Sequence, residues 1–148
     1  MAIAAEVECL KSVPLFNGLD PRRLKLIAFT SDRMSYEPGA VLFRQGDDSD
    51  AAFVILDGHA DVMIDTPAGP IKVAVLGPNS LVGEMGVMTN SPRSATIIAE
   101  SALTTLRIPK EMFMSLVTEF SQFGLAIIRE LASRVEHTNR LLAAAQRS

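Results

Sequence analysis

The sequence predicts an α+β fold, an antiparallel, jelly-roll-like β-roll with helices before and after it. Three observations predict it. Between Met34 and Ile108, short apolar runs alternate with turn residues at even spacing, as in antiparallel barrels and jelly rolls. The segments on either side carry apolar residues at helical spacing beside capping residues. Hydrophobic residues make up 48% of the 148 residues, enough for one ordinary core. The expected division is a helical lead-in over about 1–33, a roll over about 34–108 and C-terminal helices over about 109–145, all in one domain.

The elements follow in order. Cys9, Leu10 and Val13 lie in an apolar-periodic stretch that Pro14 ends, and Asn17-Gly18 turns the chain. Asp20 before Pro21 is a helix start: Asp caps free N–H groups and Pro suits the first helical position. Leu24, Ile27 and Ala28 repeat at helical spacing behind it. Pro38-Gly39 turns into the strand Val41-Leu42-Phe43, and Gly46-Asp47-Asp48 is the next turn. Phe53–Leu56 and His59–Ile64 flank Asp57-Gly58, the strongest short hairpin signal in the chain. Thr66–Pro70 reads as a loop, Ile71–Leu76 as a strand, and Gly77-Pro78 ends it. Ala95–Ala99 and Leu103–Ile108 are the last strands. Pro109 favours a helix start, with Met112, Phe113, Leu116 and Val117 on its apolar face. Ser121 can cap a second, longer helix carrying Ile128, Leu131, Val135, Thr138, Leu142 and Ala145 at three-and-four spacing.

Composition excludes several functions. The net charge is −3 and the longest basic cluster is Arg22-Arg23, against a nucleic-acid-binding surface. The single cysteine, Cys9, rules out an internal disulfide and a four-cysteine zinc site. It is read as a buried or half-buried thiol in a reducing compartment. No apolar stretch has the length of a membrane span, and the N-terminus carries Glu6 and Glu8 with no basic leader region. A cytoplasmic protein is expected. His59 and His137, the two histidines, sit on different elements and read as surface residues, so no metal site is expected. No Gly-x-Ser-x-Gly turn and no phosphate-loop lysine motif occurs, and no enzymatic activity is expected.

The chemistry concentrates in Gly83-Glu84-Met85-Gly86-Val87-Met88, a turn, and then Pro92-Arg93-Ser94-Ala95. It reads as a short helical turn, a polar turn, and an arginine leading into a strand. A carboxylate and a guanidinium at opposite ends of one cassette can grip a ligand that carries hydroxyls and a phosphate, such as a sugar phosphate. Arginine supplies planar, permanently charged donors matched to phosphate oxygens. Gly83 lets a ligand approach the backbone, and a helix start offers free N–H groups to an anion. Taken singly, Glu84 also fits a helix-start carboxylate and Arg93 a residue closing a turn. Met85 and Met88 read as core filler.

The segment resembles the phosphate-binding cassette of the cyclic-nucleotide-binding domain family: a Gly-Glu pair, a short apolar helix, a variable turn, then Pro-Arg-small-Ala. Val13-Pro14-Leu15-Phe16, Tyr36-Glu37-Pro38-Gly39 and Ile55-Leu56-Asp57-Gly58 also resemble that family, over roughly residues 10–137. The resemblance implies that Glu84 accepts from a ribose 2′-hydroxyl and that Arg93 binds the cyclic phosphate. The Ser94 hydroxyl and backbone N–H groups near Gly83 and Ala95 are expected to complete the phosphate shell, although Ser94 equally fits a loop hydroxyl bonding to backbone. The candidate ligand-binding residues are therefore Gly83, Glu84, Met85, Arg93, Ser94 and Ala95. Val82 and Gly86 depart from the family's usual aromatic and alanine. Val73, Val75 and Leu81 fit either an apolar pocket wall or the core. Ser94 does not decide between cAMP and cGMP.

The function so implied is a cAMP or cGMP receptor module that needs no cofactor and relays binding through its C-terminal helix to an effector protein. The alternative is a degenerate roll used for protein interaction or dimerisation. Catabolite-activator members of the family place a helix-turn-helix after the roll, whereas this chain stops at Ser148. Its initial Met and polar end fit a standalone protein as the expectation, with a fragment of a channel, a kinase or a transcription factor as the alternative. The apolar stripe over 128–145 packs either on the roll or, with Leu141, Leu142 and Ala143 beyond the roll's reach, along a second copy as a homodimer.

Overall fold

The computed structural model describes residues 4–16, 18–119, 128–129, 132–134, 136 and 139–140. Helix α1 spans Ala4–Ser12 and is followed by a 3-10 turn, Pro14–Phe16. Helix α2, Pro21–Thr30, opens as the sequence predicts: the Asp20 side chain accepts from the Arg23 N–H at 3.1 Å, and Pro21 takes the first turn. The strands are β1 (Asp32–Tyr36), β2 (Val41–Phe43), β3 (Ala51–Asp57), β4 (Ala60–Thr66), β5 (Gly69–Leu76), β6 (Leu81–Val82), β7 (Thr96–Ala99) and β8 (Leu103–Pro109). Helix α3, Glu84–Thr89, stands between β6 and β7, and α4, Lys110–Glu119, follows β8.

Two antiparallel four-stranded sheets form the roll, in the orders β1-β8-β3-β6 and β2-β7-β4-β5. β3 shows why they stack. Its run Ala51-Ala52-Phe53-Val54-Ile55 is buried throughout, and successive side chains leave opposite faces of a strand. Ala51, Phe53 and Ile55 join Ala60, Val82, Ile97, Ala99 and Leu103 in a core between the sheets. Ala52 and Val54 face the other way, into a second core with Leu10, Phe16, Leu24, Ile27, Phe113 and Leu116. The helices therefore close the outer face of the first sheet, and β3 is shared by both cores.

Asp57-Gly58 is not a hairpin. β3 and β4 belong to different sheets and do not pair. The turn is a corner at which the chain changes sheet. Gly58 has φ +88°, and a Cβ there would overlap the Ala102 carbonyl oxygen. The corner between β7 and β8 lies beside it: Glu100 N–H donates to His59 O at 3.0 Å, and His59 N–H to Ser101 Oγ at 3.0 Å. The tight hairpin is β4–β5, where Thr66 pairs with Gly69 and the Thr66 hydroxyl donates to Gly69 O at 2.6 Å. Pro109 closes β8 rather than opening the helix, which begins at Lys110. Ile128 is described and 62% exposed. Ser121, Leu131, Val135, His137, Thr138, Leu141, Leu142, Ala143 and Ala145 lie outside the described residues.

Candidate functional site

The cassette is shaped from both ends. Gly83 caps α3 in the left-handed region, at φ 79° and ψ 10°, which costs a glycine little. A Cβ at Gly83 would overlap Arg93 Nη1, so the space beside this backbone belongs to the arginine. At the far end Asn90 ends the helix in the left-handed region, and the Ser91 N–H donates to Gly86 O at 3.0 Å. The loop after β2 then takes hold of Arg93: its N–H donates to Asp47 O, and Gly46 N–H donates to its carbonyl, both at 2.8 Å.

The Arg93 side chain turns inward and is 2% exposed. Nη1 donates to Gly83 O at 2.8 Å and Nη2 to Ala51 O at 2.6 Å. Asp50 Oδ1 stands 3.7 Å from Nη2, and the guanidinium carbon lies 3.9 Å above the centre of the Phe43 ring. Burial pulls the guanidinium below its ordinary value, opposed by the carboxylates of Asp50, Asp47 and Glu84. Arginine still keeps its proton. Its Nε is buried and has no hydrogen-bond partner among the described residues. A buried donor of this kind marks a place where an acceptor would be favourable.

Glu84, the first residue of α3, is 3% exposed. Its Oε1 accepts from Arg134 Nη2 at 2.6 Å. Arg134 belongs to the C-terminal segment, and its side chain is 46% exposed. The six sequence candidates, Gly83, Glu84, Met85, Arg93, Ser94 and Ala95, all line one cavity of about 240 Å³. Phe43, Val62, Leu76, Leu81 and Ile97 give it an apolar wall, and Arg134 closes part of it. Leu81 lies on that wall. Val73 and Val75 do not: they sit on the edge strand β5, about half exposed. Met85 borders the cavity, whereas Met88 packs against the helix-side core.

Sequence reasoning missed Phe43, Asp50 and Arg134. Phe43 reads as an ordinary strand residue, and Asp50 is one of several acids in a turn. Arg134 lies fifty residues from Glu84 and carries no local signal. Among the described residues, no group of three or more His, Cys, Asp or Glu side chains is placed to hold a metal ion. No helix among them is long and apolar enough to cross a membrane.

Known proteins resemble this chain in sequence and in fold. The chain is 32% identical to the lysophospholipase nte1 of Aspergillus fumigatus over 116 residues, which cover 78% of the chain and 8% of that protein. The chain thus spans less than a tenth of the curated relatives it matches. The catabolite activator protein of Thermus thermophilus superposes with a TM-score of 0.82 at 27% identity, covering 90% of this chain and 63% of that one. A cAMP-bound PfPKA-R superposes with a TM-score of 0.70 at 25% identity, covering 75% and 40%. The model of the cyclic nucleotide-binding domain matches residues 33–120, and the chain belongs to that family.

Proposed function

We propose that this chain is a single-domain receptor module for a cyclic nucleotide, cAMP or cGMP, and that it binds without a cofactor and without catalysing a reaction. The observation that carries this reading is the meeting of Glu84 and Arg93, from the two ends of the cassette, on one cavity with an apolar wall. The buried Arg93 Nε has no hydrogen-bond partner among the described residues, whereas Nη1 and Nη2 each hold a backbone carbonyl. Membership of the family and the cAMP carried by a relative of the same fold support it.

In this reading Arg93 binds the cyclic phosphate, with the Ser94 hydroxyl and backbone N–H groups near Gly83 and Ala95 around it. Met85 borders the same space. Glu84 accepts from the ribose 2′-hydroxyl, and the base lies along Val62, Leu76 and Leu81. The Arg134–Glu84 contact gives the relay. A ribose hydroxyl arriving at Glu84 changes the environment of Arg134, so the position of the C-terminal segment depends on the ligand. A ligand shifts such an equilibrium only through different affinities for the two states. The output passes to an effector protein in the cytoplasm, through a helix that also serves a homodimer.

Binding by the variants tests the assignment. Arg93→Leu removes a hydrogen bond to a charged group, so affinity is expected to fall by about ten- to over a hundred-fold. The buried arginine also holds Gly83 O and Ala51 O, so this variant melts at a lower temperature. Glu84→Gln costs less, and 2′-deoxy nucleotides lose little further on that background. A folded Arg93→Leu chain that binds with wild-type affinity would refute the assignment.

A further inference from the structure

The loop between β2 and β3 touches the cassette at a point that the ligand roles of Glu84 and Arg93 leave unexplained. Ser49 is buried, 9% exposed, and its hydroxyl donates to Ser91 O at 2.6 Å. Ser91 in turn donates its N–H to Gly86 O. The cassette helix, its closing turn and the loop thus meet at three residues. Gly86 sits directly over this contact. A Cβ built on it would overlap Ser49 Oγ and stand 2.9 Å from Ser49 Cβ and 3.1 Å from Ser91 O. Gly86 has no positive φ, so its backbone does not demand glycine. The neighbour does: glycine in a helix interior is less favourable than alanine, and here the serine hydroxyl takes the space an alanine would use.

The contact lies between the two ligand-facing ends. Glu84 begins the helix two residues before Gly86, and Arg93 follows Ser91 by two. The same loop holds the Arg93 backbone through Asp47 O and Gly46 N–H. At the other side of the turn, Lys110 Nζ donates to Asn90 Oδ1 at 2.8 Å. With the helix seated on Ser49, the distance between carboxylate and guanidinium is set by the loop rather than by the helix alone.

We propose that Ser49 is a positioning residue of the ligand site and that Gly86 is its required counterpart, the two forming one contact that sets where Glu84 stands relative to Arg93. This rests on the receptor reading above. Overfilling a packed site displaces backbone, so alanine at 86 moves the helix only while the serine is present. Contacting residues of this kind are non-additive.

The test is a cycle of four proteins: wild type, Gly86→Ala, Ser49→Gly and the double variant. Each is titrated with cAMP and cGMP well below its melting temperature. Gly86→Ala is expected to bind both nucleotides at least about tenfold more weakly. Ser49→Gly loses one hydrogen bond, with a loss of about three- to tenfold. On the Ser49→Gly background, the alanine is expected to change affinity by less than about threefold. A Gly86→Ala chain that fails to fold while the double variant folds and binds supports the proposal equally. Equal steps in both backgrounds, wild-type affinity for Gly86→Ala, or a double variant that stays unfolded overturns it. A wild-type chain that takes up neither nucleotide overturns the receptor reading and Ser49's role in affinity together. Amide exchange over residues 84–93 of the four ligand-free proteins tells these failures apart: unless it is non-additive too, the Ser49–Gly86 contact itself is wrong.

Discussion

At the scale of single residues, the gathering of the cassette side chains on one cavity was readable and their surroundings were not. Gly83, Glu84, Arg93, Ser94 and Ala95 announce themselves by type and spacing, and all reach one cavity. Phe43 under the guanidinium and Arg134 against Glu84 are products of tertiary folding and have no neighbours in sequence to reveal them. Gly86 shows the same limit: its departure from the family's alanine has no explanation in the sequence until Ser49 is seen in the space. Cys9 was readable as a half-buried thiol. Its Sγ donates toward Asn79 Oδ1 at 3.0 Å or Ile55 O at 3.4 Å, which ties α1 to the roll. Burial raises the thiol above its ordinary value of 9.0, so the folded chain holds the proton more tightly than the unfolded one. The resulting stability is fully present below that ordinary value and is lost as pH rises through the higher folded one. Urea midpoints measured from pH 8 upward are expected to fall more steeply for wild type than for Cys9→Ala. Parallel slopes, or rapid alkylation of the folded thiol at neutral pH, would contradict this environment for Cys9.

At the scale of elements, legibility follows from how local the cause is. The α2 start depends on Asp20 and Pro21 alone, and the structure keeps it. The β3 run is apolar without alternation, and its burial on both faces explains why. Strand β6 has two residues, Leu81 and Val82, paired with Val54 and Phe53. Nothing in so short a segment separates it from a loop. Asp57-Gly58 misled because a left-handed glycine turns the chain equally well within a sheet or between two. Only the partners of β3 and β4, β8 and β6 on one side and β5 and β7 on the other, decide which. Val73 and Val75 misled in a related way. Their alternation is genuine, but β5 lies at a sheet edge with both faces largely open.

At the scale of the whole molecule, two layers of sheet and one of helices place the cassette where the roll, the loop after β2 and the C-terminal segment meet. Over residues 18–119 most of the order of helices and strands was legible, because turns and caps punctuate it; β1 and β6 were the exceptions. The assembly was not, because the stripe from Leu131 to Ala145 lies mostly outside the described residues. The homodimer proposed for that helix predicts a dimer in light scattering at high micromolar concentration. A monomer with and without nucleotide would sink the homodimer. The central claim is that Glu84 and Arg93 hold a cyclic nucleotide. Calorimetric titration of the wild-type chain with cAMP, cGMP and their 2′-deoxy forms tests it most directly. We expect one saturable site per chain for at least one ribonucleotide and weaker binding of its 2′-deoxy form. No binding at millimolar ligand, or equal binding of the ribo and 2′-deoxy forms, would contradict the account.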